Sequence, residues 1–293
     1  MAKYYLSAFA DEAGKELDSQ IAALKRNRIP FVELRGLETG PVDAQSDYTA
    51  KEVRKKLDES GIGISALGSR LGKTPVTGFF EYSLESLRRL CELCHILGAE
   101  RIRMFSYYIP EGEDPKTYRA EVMERLQKLC DYAKTQGVKL MHENEALIYG
   151  EKMEEVLDIH ASVPDLGGIF DPSNYRKAGV DQALTIQKVM PYIDYIHIKD
   201  CTNEGEIVPA GYGDGLIGET ICRHNELFSG DSFLTLEPHL FQFQGYSEID
   251  KSEFKTKFSF ANKDESFDFV VKSLKEVLTK NGFQESEDMA WTK

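Results

Sequence analysis

The strongest constraint on the fold is an alternation of short apolar runs and amphipathic stretches that repeats along the chain. Eight runs are rich in β-branched and aromatic residues and are roughly four to eight residues long, as strands are. These runs are Tyr4–Ala10, Phe31–Arg35, Ile62–Leu67, Arg101–Ser106, Lys139–Glu143, Gly168–Asp171, Tyr195–Lys199 and Phe233–Glu237. Between the runs, apolar residues recur at steps of three and four, which predicts amphipathic helices.

Eight strand-helix units in 293 residues predict a single (β/α)8 TIM barrel of the α/β class, at about 37 residues per unit. A doubly wound open sheet is the rival fold. No G-x-G-x-x-G follows the first run, and no linker rich in Pro, Ser or Gly divides the chain. We therefore expect one domain, residues 1–293. Two longer irregular stretches, Cys201–Gly218 and Leu240–Ala261, follow the last two strands, on the face where such barrels carry active sites.

The charge balance disfavours nucleic-acid and membrane partners. Lys+Arg number 36 and Asp+Glu 49, a net charge of −13, which would repel a phosphate backbone or an anionic lipid surface. No apolar stretch is long enough to span a bilayer. The N-terminal run meets Asp11 and Glu12 early, so neither a signal peptide nor an anchor is expected there.

The five cysteines are an odd number in a chain of this size and predict no disulfide framework. A reducing cytoplasm is the compartment that this composition favours. Cys91 and Cys94 form a C-x-x-C, but they lie in the helical pattern SLESLRRLCELCHILGA without a second pair at zinc-site spacing. We expect both thiols to pack in the core.

Polar side chains interrupt four of the apolar runs near their C-terminal ends, where a barrel gathers its chemistry. They are Glu143, Asp171, His197 and Glu237. Any one acid could instead cap the following helix, and a single histidine is usually a core residue. The four together favour a metal site, because clustered buried acids repel one another without a cation. Three carboxylates and one imidazole suit one divalent ion, with Mn²⁺ first and Mg²⁺, Co²⁺ or Zn²⁺ as alternatives.

The segments FVELRG, MHENEALIYG, GGIFDPSNY, YIHIKD and TLEPH, in that order, resemble the xylose-isomerase-like TIM barrels, also called the sugar phosphate isomerase/epimerase family. The resemblance covers essentially the whole chain. It implies that Glu143, Asp171, His197 and Glu237 match the metal ligands of the ketose 3-epimerase branch. It also implies that Glu143 and Glu237 are the catalytic pair that exchanges the substrate proton on opposite faces.

The sequence departs from the family pattern at two positions. Asn174 stands where the ketose 3-epimerases and the apurinic endonucleases usually carry a histidine, and Tyr149 stands where the epimerases place a second substrate-contacting glutamate. The endonuclease branch uses a three-zinc cluster, and the six histidines of this chain are too few for one once those in helical runs are set aside. DNA repair is therefore disfavoured.

Further candidates for substrate binding lie near the same strand ends. Lys199 shares the strand face of His197 and could donate to a hydroxyl or enediolate oxygen, or could pair with neighbouring charges. His239 shares the face of Glu237. Glu33 and Arg35 could line the pocket floor or form an internal ion pair. The remaining candidates are Asn174, which can hydrogen-bond a hydroxyl, and Tyr107, which could stack on a sugar ring.

These residues predict a metal-dependent sugar isomerase or epimerase that removes a proton next to a carbonyl and forms an enediolate. A keto-sugar or inosose dehydratase, or a keto-glycoside lyase, would begin with the same step. A non-catalytic sugar-binding barrel is the third alternative, although it would not need both glutamates. No Lys or Arg occurs between Asp200 and Arg223, so we expect a neutral sugar or polyol rather than a sugar phosphate as partner. Relatives are often dimers or tetramers, which makes a homo-oligomer a family expectation.

Overall fold

The computed structural model describes residues 1–241 and 256–293. Its centre is a sheet of eight parallel strands in the order expected of the predicted (β/α)8 barrel, and the family match agrees with that fold. The strands are β1 Ala2–Ala8, β2 Phe31–Leu34, β3 Gly63–Leu71, β4 Arg101–Met104, β5 Lys139–Glu143, β6 Gly167–Phe170, β7 Ile193–Ile198 and β8 Gly230–Leu236. Hydrogen-bonded pairing runs in order from β2 to β8 and then to β1, and β1 and β2 are in contact with each other.

Helices surround the strands and follow the sequence pattern. They are α1 Leu17–Arg26, α2 Asp47–Ser60, α3 Phe80–Leu97, α4 Arg119–Thr135, α5 Met153–Ser162, α6 Pro172–Lys177, α7 Gln182–Val189, α8 Ile217–Leu227 and α9 Lys263–Lys280. Helix α2 shows both end signals: the Ser46 hydroxyl accepts from the amide of Thr49, and Gly61 adopts a left-handed φ of 68°. Cys91 and Cys94 are buried on α3, and burial raises the pKa of both thiols, which agrees with a packing role.

The barrel interior is built in layers by the period of two along each strand. The lower layer is apolar and is formed by Ala66, Met141, Ile169, Tyr195 and Phe233. The residues two positions further along the same strands point to the same side and are polar or charged: Glu143 follows Met141, and His197 follows Tyr195. The sequence therefore places apolar packing at the N-terminal end of the barrel and titratable groups at its C-terminal end.

A hairpin near the C-terminus covers the edge of β1. Its strands, Gln284–Glu285 and Ala290–Thr292, pair antiparallel with each other, and the second also pairs with β1. Trp291 lies opposite Tyr4 and is buried. The hairpin thereby satisfies backbone groups of β1 beside the junction with β2.

The two long stretches after β7 and β8 differ in how far they are described. In the first, Asp200–Cys201 pairs antiparallel with Ile207–Val208, so this stretch is less irregular than predicted. In the second, residues 242–255 of the predicted Leu240–Ala261 loop lie outside the described residues. Within the described ranges, no helix is long and apolar enough to cross a membrane.

Candidate metal centre

Four strand ends bring the predicted ligand set together. Glu143 ends β5, Asp171 follows β6, His197 lies in β7 and Glu237 follows β8. None of the four is more than 2% exposed. One ligand atom from each side chain lies within 4.8 Å of the corresponding atoms of the other three. The cluster is therefore able to hold a metal ion.

His197 lies at the middle of this cluster. Its Nδ1 is 2.9 Å from Glu143 Oε1 and 3.2 Å from Glu237 Oε2, while its Nε2 is 3.2 Å from Glu33 Oε2. Burial alone would lower the pKa of the imidazole, but the charges of Glu143 and Glu33 outweigh it and raise the pKa well above its usual value. The surroundings of the imidazole therefore stabilise a positive charge, either a proton on the ring or a metal ion beside it.

Asp171 has two roles, one for each carboxylate oxygen. Its Oδ1 accepts the amide of Asn174 at 2.8 Å and so caps the short helix α6. Its Oδ2 is 2.8 Å from Lys199 Nζ. Burial raises the pKa of this carboxyl to about 6 although Lys199 acts in the opposite direction. The helix-cap and metal-ligand interpretations of Asp171 are therefore compatible.

Buried carboxylate oxygens provide a test of whether a metal fits. Within the part of the chain that the structure describes, Glu143 Oε2, Asp171 Oδ2 and Glu237 Oε2 are buried and accept no well-oriented hydrogen bond. They lie instead beside cationic side chains, at 3.2 Å from Arg103, 2.8 Å from Lys199 and 3.2 Å from His197 respectively. Buried carboxylate oxygens of this kind can coordinate a cation. The separations from His197 Nδ1, 2.9 and 3.2 Å, are close to the ~3.0 Å between neighbouring ligands around an octahedral ion with bonds of about 2.1 Å. The donor set fits a divalent metal.

Two buried arginines form ion pairs with Glu143 and Glu237. Arg103 Nη1 is 3.2 Å from Glu143 Oε2, and Arg35 Nη1 donates to Glu237 Oε1 at 3.4 Å. Both guanidinium groups also lie over the ring of Phe9, at 4.8 and 4.3 Å from its centroid. The pKa of Glu143 falls to about 2, because the charges of His197 and Arg103 outweigh the opposing effect of burial. Glu143 is therefore ionised at neutral pH.

Lys199 is a further buried cation beside the candidate ligands. It is 3% exposed, and its Nζ lies 3.8 Å from Glu237 Oε2 in addition to its pairing with Asp171. The pKa of Glu237 lies well below its usual value because Lys199, His197 and His239 outweigh burial. The ion-pair alternative for Lys199 is what the structure shows, and it keeps the ammonium beside the candidate ligands.

Arg35 and His239 are joined by carboxylates that follow β1. Arg35 donates to both oxygens of Asp11 at 3.0 Å and to Glu12 Oε1 at 3.2 Å, so it forms internal ion pairs with acids that the sequence did not indicate. Glu12 Oε2 accepts the amide of His239 at 2.8 Å, and His239 Nε2 lies 3.3 Å from Glu237 Oε1. His239 has a left-handed φ of 47°, a conformation that costs a non-glycine residue energy and that clusters at functional sites.

The other substrate-binding candidates have different surroundings. Asn174 donates its side-chain amide to the carbonyl of Asn144 at 2.9 Å, next to Asp171. The ring of Tyr107 lies 5.3 Å from the guanidinium of Arg125 on α4, so this side chain faces the helix layer. Tyr149 donates to Asp158 Oδ2 at 2.7 Å on α5. Substrate contact by Asn174 and Tyr107 stays a prediction.

Sequence reasoning missed two parts of this site, Asp11 and Glu12. They follow β1 after Phe9 and Ala10, so the rule that found Glu143 and Asp171 would have found them too. The alternation of β4 predicts that Arg103 lines the pocket or forms an internal ion pair, and the structure shows it paired with Glu143.

Among the residues that the structure describes, carboxylates outnumber fixed cations around His197. The carboxylates are Asp11, Glu12, Glu33, Glu143, Asp171 and Glu237, and the cations are Arg35, Arg103 and Lys199. An excess of buried negative charge is unfavourable unless protons or a metal ion compensate for it.

The glycine-rich loop after β7 is tied to an acid of its own chain. The amides of Gly211, Gly213 and Gly215 donate to the carboxylate of Asp200.

Comparisons with known proteins agree with this architecture. Residues 21–242 match the sequence model of a family described as Xylose isomerase-like TIM barrel. No curated protein sequence matches the chain. Similar solved structures include the IolI protein with a bound zinc atom (TM-score 0.73, 14% identity, covering 95% of this chain and 99% of that one). D-psicose 3-epimerase in the presence of D-fructose gives a TM-score of 0.70 and 14% identity over 95% of this chain and 99% of that one.

A third similar structure is the probable 3-DHS dehydratase AsbF, involved in petrobactin synthesis, from Bacillus anthracis. It gives a TM-score of 0.69 and 16% identity over 93% of this chain and 98% of that one. At these identities the likeness shows a common fold, and that fold carries more than one reaction type among the similar proteins.

Proposed function

Because the chain belongs to the xylose isomerase-like TIM barrel family, we propose that it is a divalent-metal-dependent sugar isomerase or epimerase. Its substrate is a small carbohydrate or polyol, and the reaction is proton abstraction next to a carbonyl through an enediolate. The observation that carries the proposal is the buried cluster of Glu143, Asp171, His197 and Glu237, whose ligand atoms all lie within 4.8 Å of one another.

These four side chains would hold one divalent ion, with Mn²⁺ as our first choice and Mg²⁺, Co²⁺ or Zn²⁺ as alternatives. An ion bound there supplies an electrophile for the carbonyl oxygen of the substrate. The cluster lies at the C-terminal ends of the strands, the end at which barrels of this kind bind their substrates.

Glu143 and Glu237 act as the acid/base pair. They extend from β5 and β8, and both are ionised at neutral pH. One carboxylate takes the proton from the carbon next to the carbonyl, and the electrons of the C–H bond form the carbon–carbon double bond of the enediolate. The other carboxylate, after taking a proton from solvent, gives that proton to the opposite face, and the first carboxylate releases its proton to solvent, so that both are ionised again. Lys199 and His239 donate to substrate oxygens beside this pair.

Proton exchange tests the activity. The protein is incubated with Mn²⁺ and a panel of neutral keto-sugars in D₂O, and deuterium at the carbon next to the carbonyl is measured. We expect exchange in the wild type and a loss of about 10²-fold or more in Glu237→Gln. Glu100→Gln is the matched control, since Glu100 is exposed just before β4 at the opposite end of the barrel. Unchanged exchange in Glu237→Gln would refute the role of Glu237, and no exchange by the wild type would favour a sugar-binding barrel.

Dehydration or eliminative cleavage is the second candidate. The contact that favours it is Lys199, whose ammonium lies 2.8 Å from Asp171 and 3.8 Å from Glu237, a place from which it could protonate a departing hydroxyl. The fold likeness to a probable 3-DHS dehydratase is consistent with this option. Product mass separates the two candidates, because isomers keep the mass of the substrate and dehydration lowers it by one water.

A further inference from the structure

Glu33 is a fully buried acid that the acid/base pair does not use. It comes from β2, while the residues that it contacts come from β7. Its Oε2 lies 3.2 Å from His197 Nε2, and its Oε1 accepts from the hydroxyl of Tyr195 at 3.1 Å. Both oxygens of Glu33 are therefore engaged inside the protein, which leaves it poorly suited to the substrate contact that the sequence predicts for it.

The backbone at Glu33 is irregular, and this irregularity affects the direction of the Glu33 side chain. The register between β2 and β3 shifts between Val32 and Glu33, so that Val32 pairs with Ile64 and Glu33 with Ala66. Such irregularities redirect side chains and are common next to active sites. The shift falls at the residue whose carboxylate meets His197.

The partner of Nε2 determines what Nδ1 can do. An ionised carboxylate only accepts hydrogen bonds, so Glu33 requires a hydrogen on Nε2 of His197. A neutral imidazole has one ring hydrogen, and Nδ1 then presents a lone pair. Nδ1 lies 2.9 Å from Glu143 Oε1, a hydrogen-bond distance, and 3.2 Å from Glu237 Oε2. If a metal ion takes the place of the Nδ1 hydrogen, the lone pairs of Nδ1, Glu143 and Glu237 would converge on it.

Aromatic contacts hold the same ring in place from two sides. The ring of Phe9 meets it edge to face with centroids 5.3 Å apart, and the ring of Tyr195 lies 5.5 Å from it. Tyr195 therefore contacts His197 and also fixes the carboxylate that His197 binds. The hydrogen bonds that link Tyr195 to Glu33 and Glu33 to His197 therefore restrict rotation of the imidazole.

We propose that Glu33 is the positioning residue that makes His197 a metal ligand, by holding the Nε2–H form and directing Nδ1 into the cluster. This inference rests on the proposed metal-dependent function. Partners of this kind orient the imidazole and increase its basicity, and their loss typically weakens metal binding 10- to 100-fold.

Metal affinity is the first test. Mn²⁺ binding is measured by calorimetry on the wild type, Glu33→Gln, Glu33→Leu and Tyr195→Phe, and the thermal stability of each metal-free protein is recorded beside it. We expect Kd to rise about 10- to 100-fold in both Glu33 variants. Tyr195→Phe keeps the Glu33 carboxylate but removes the hydroxyl that holds it, so it should raise Kd by less than either Glu33 variant does. Wild-type binding with a Kd for Glu33→Gln within twofold of it would overturn the inference and leave the metal site intact.

The ring form of His197 is the second test, and it needs no variant to be decisive. In Zn²⁺-loaded protein with ¹⁵N-labelled histidine, NMR should show the hydrogen of His197 on Nε2. A hydrogen on Nδ1 would overturn the inference even if metal binds. If the wild type binds neither Mn²⁺ nor Zn²⁺, the proposed function fails and the inference fails with it. If the wild type binds metal but the hydrogen is on Nδ1, only the inference fails.

Discussion

Lys199 is a single residue whose charge is balanced by acids on two neighbouring strands. With Lys199→Met, Asp171 loses its cation while Glu143 and Glu237 remain near it. Leaving one partner of a buried ion pair uncompensated costs about 3 kcal/mol or more. We expect the metal-free variant to lose about that much of its free energy of unfolding, measured with urea, and Mn²⁺ to restore part of it. Equal stabilities of variant and wild type would contradict the ion-pair assignment.

His224 is a second residue with a distinct expected effect, on the pH dependence of stability. Its Nδ1 meets the hydroxyl of Tyr4 at 2.9 Å and its Nε2 meets the carbonyl of Ile193 at 3.1 Å. Burial lowers its pKa from 6.5 to about 4 in the folded protein. Between these two pH values the unfolded chain binds the proton and the folded chain does not. The contribution of His224 to the free energy of unfolding is therefore fully present above about pH 6.5 and is lost as the pH falls toward 4.

The size of this loss is about 3 kcal/mol for His224 at pH 4. Urea unfolding at pH 7, 6, 5 and 4 on the wild type and His224→Phe measures it. The variant should be less stable at pH 7, because two hydrogen-bond partners lose their ring nitrogen, and should show a smaller decline with acid. His95→Phe, at an exposed position on α3, is the control. The same pH slope in His224→Phe and wild type would exclude His224 as the source.

At the scale of elements, Asp200 organises the loop that follows β7. Its carboxylate accepts the amides of Gly211, Gly213 and Gly215 at 2.9 to 3.1 Å. Asp200→Ala should lower the free energy of unfolding by about 2 kcal/mol and speed amide exchange in residues 211–215 about tenfold. Asp214→Ala is the matched control, since Asp214 accepts only an exposed amide at 2.8 Å, from Asn203, among the described contacts. Unchanged exchange in Asp200→Ala would refute the anchoring role.

The positions of the strands could be predicted from the sequence because each leaves a local pattern. Residues Lys139–Glu143 form the predicted strand with the same bounds, and a polar residue ending an apolar run marks the barrel mouth. The contact of Glu33 with His197 could not be predicted, because these residues are 164 positions apart. Which side chains meet across a barrel depends on strand stagger, and the register shift at Glu33 has no signature in the sequence.

The same limit applies to the loop glycines. The amides of a glycine-rich segment can bind an anion from solution or an acceptor within the chain. The sequence does not reveal that the amides of Gly211, Gly213 and Gly215 donate to Asp200, 11 to 15 residues earlier in the chain.

At the scale of the whole molecule, we propose that residues 1–293 unfold as one domain, and Trp291 allows a test. It is the single tryptophan of the chain and lies in the hairpin that pairs with β1. If hairpin and barrel form one cooperative unit, tryptophan fluorescence and far-ultraviolet circular dichroism should give the same urea midpoint. A fluorescence transition at clearly lower urea would show that the hairpin detaches first.

Tyr195 belongs to two parts of the molecule at once. Its ring packs in the lower interior layer with Met141, Ile169 and Phe233, and its hydroxyl holds Glu33. Packed interiors transmit displacements because they have few voids. A substitution such as Phe233→Leu touches no candidate ligand. It would nevertheless displace the hydroxyl of Tyr195 slightly, and with it the Glu33 carboxylate that contacts the cluster. In this barrel, the packing of ordinary apolar side chains therefore helps to set the positions of the candidate ligands, and substitutions there would be an adjustable control on the proposed metal affinity.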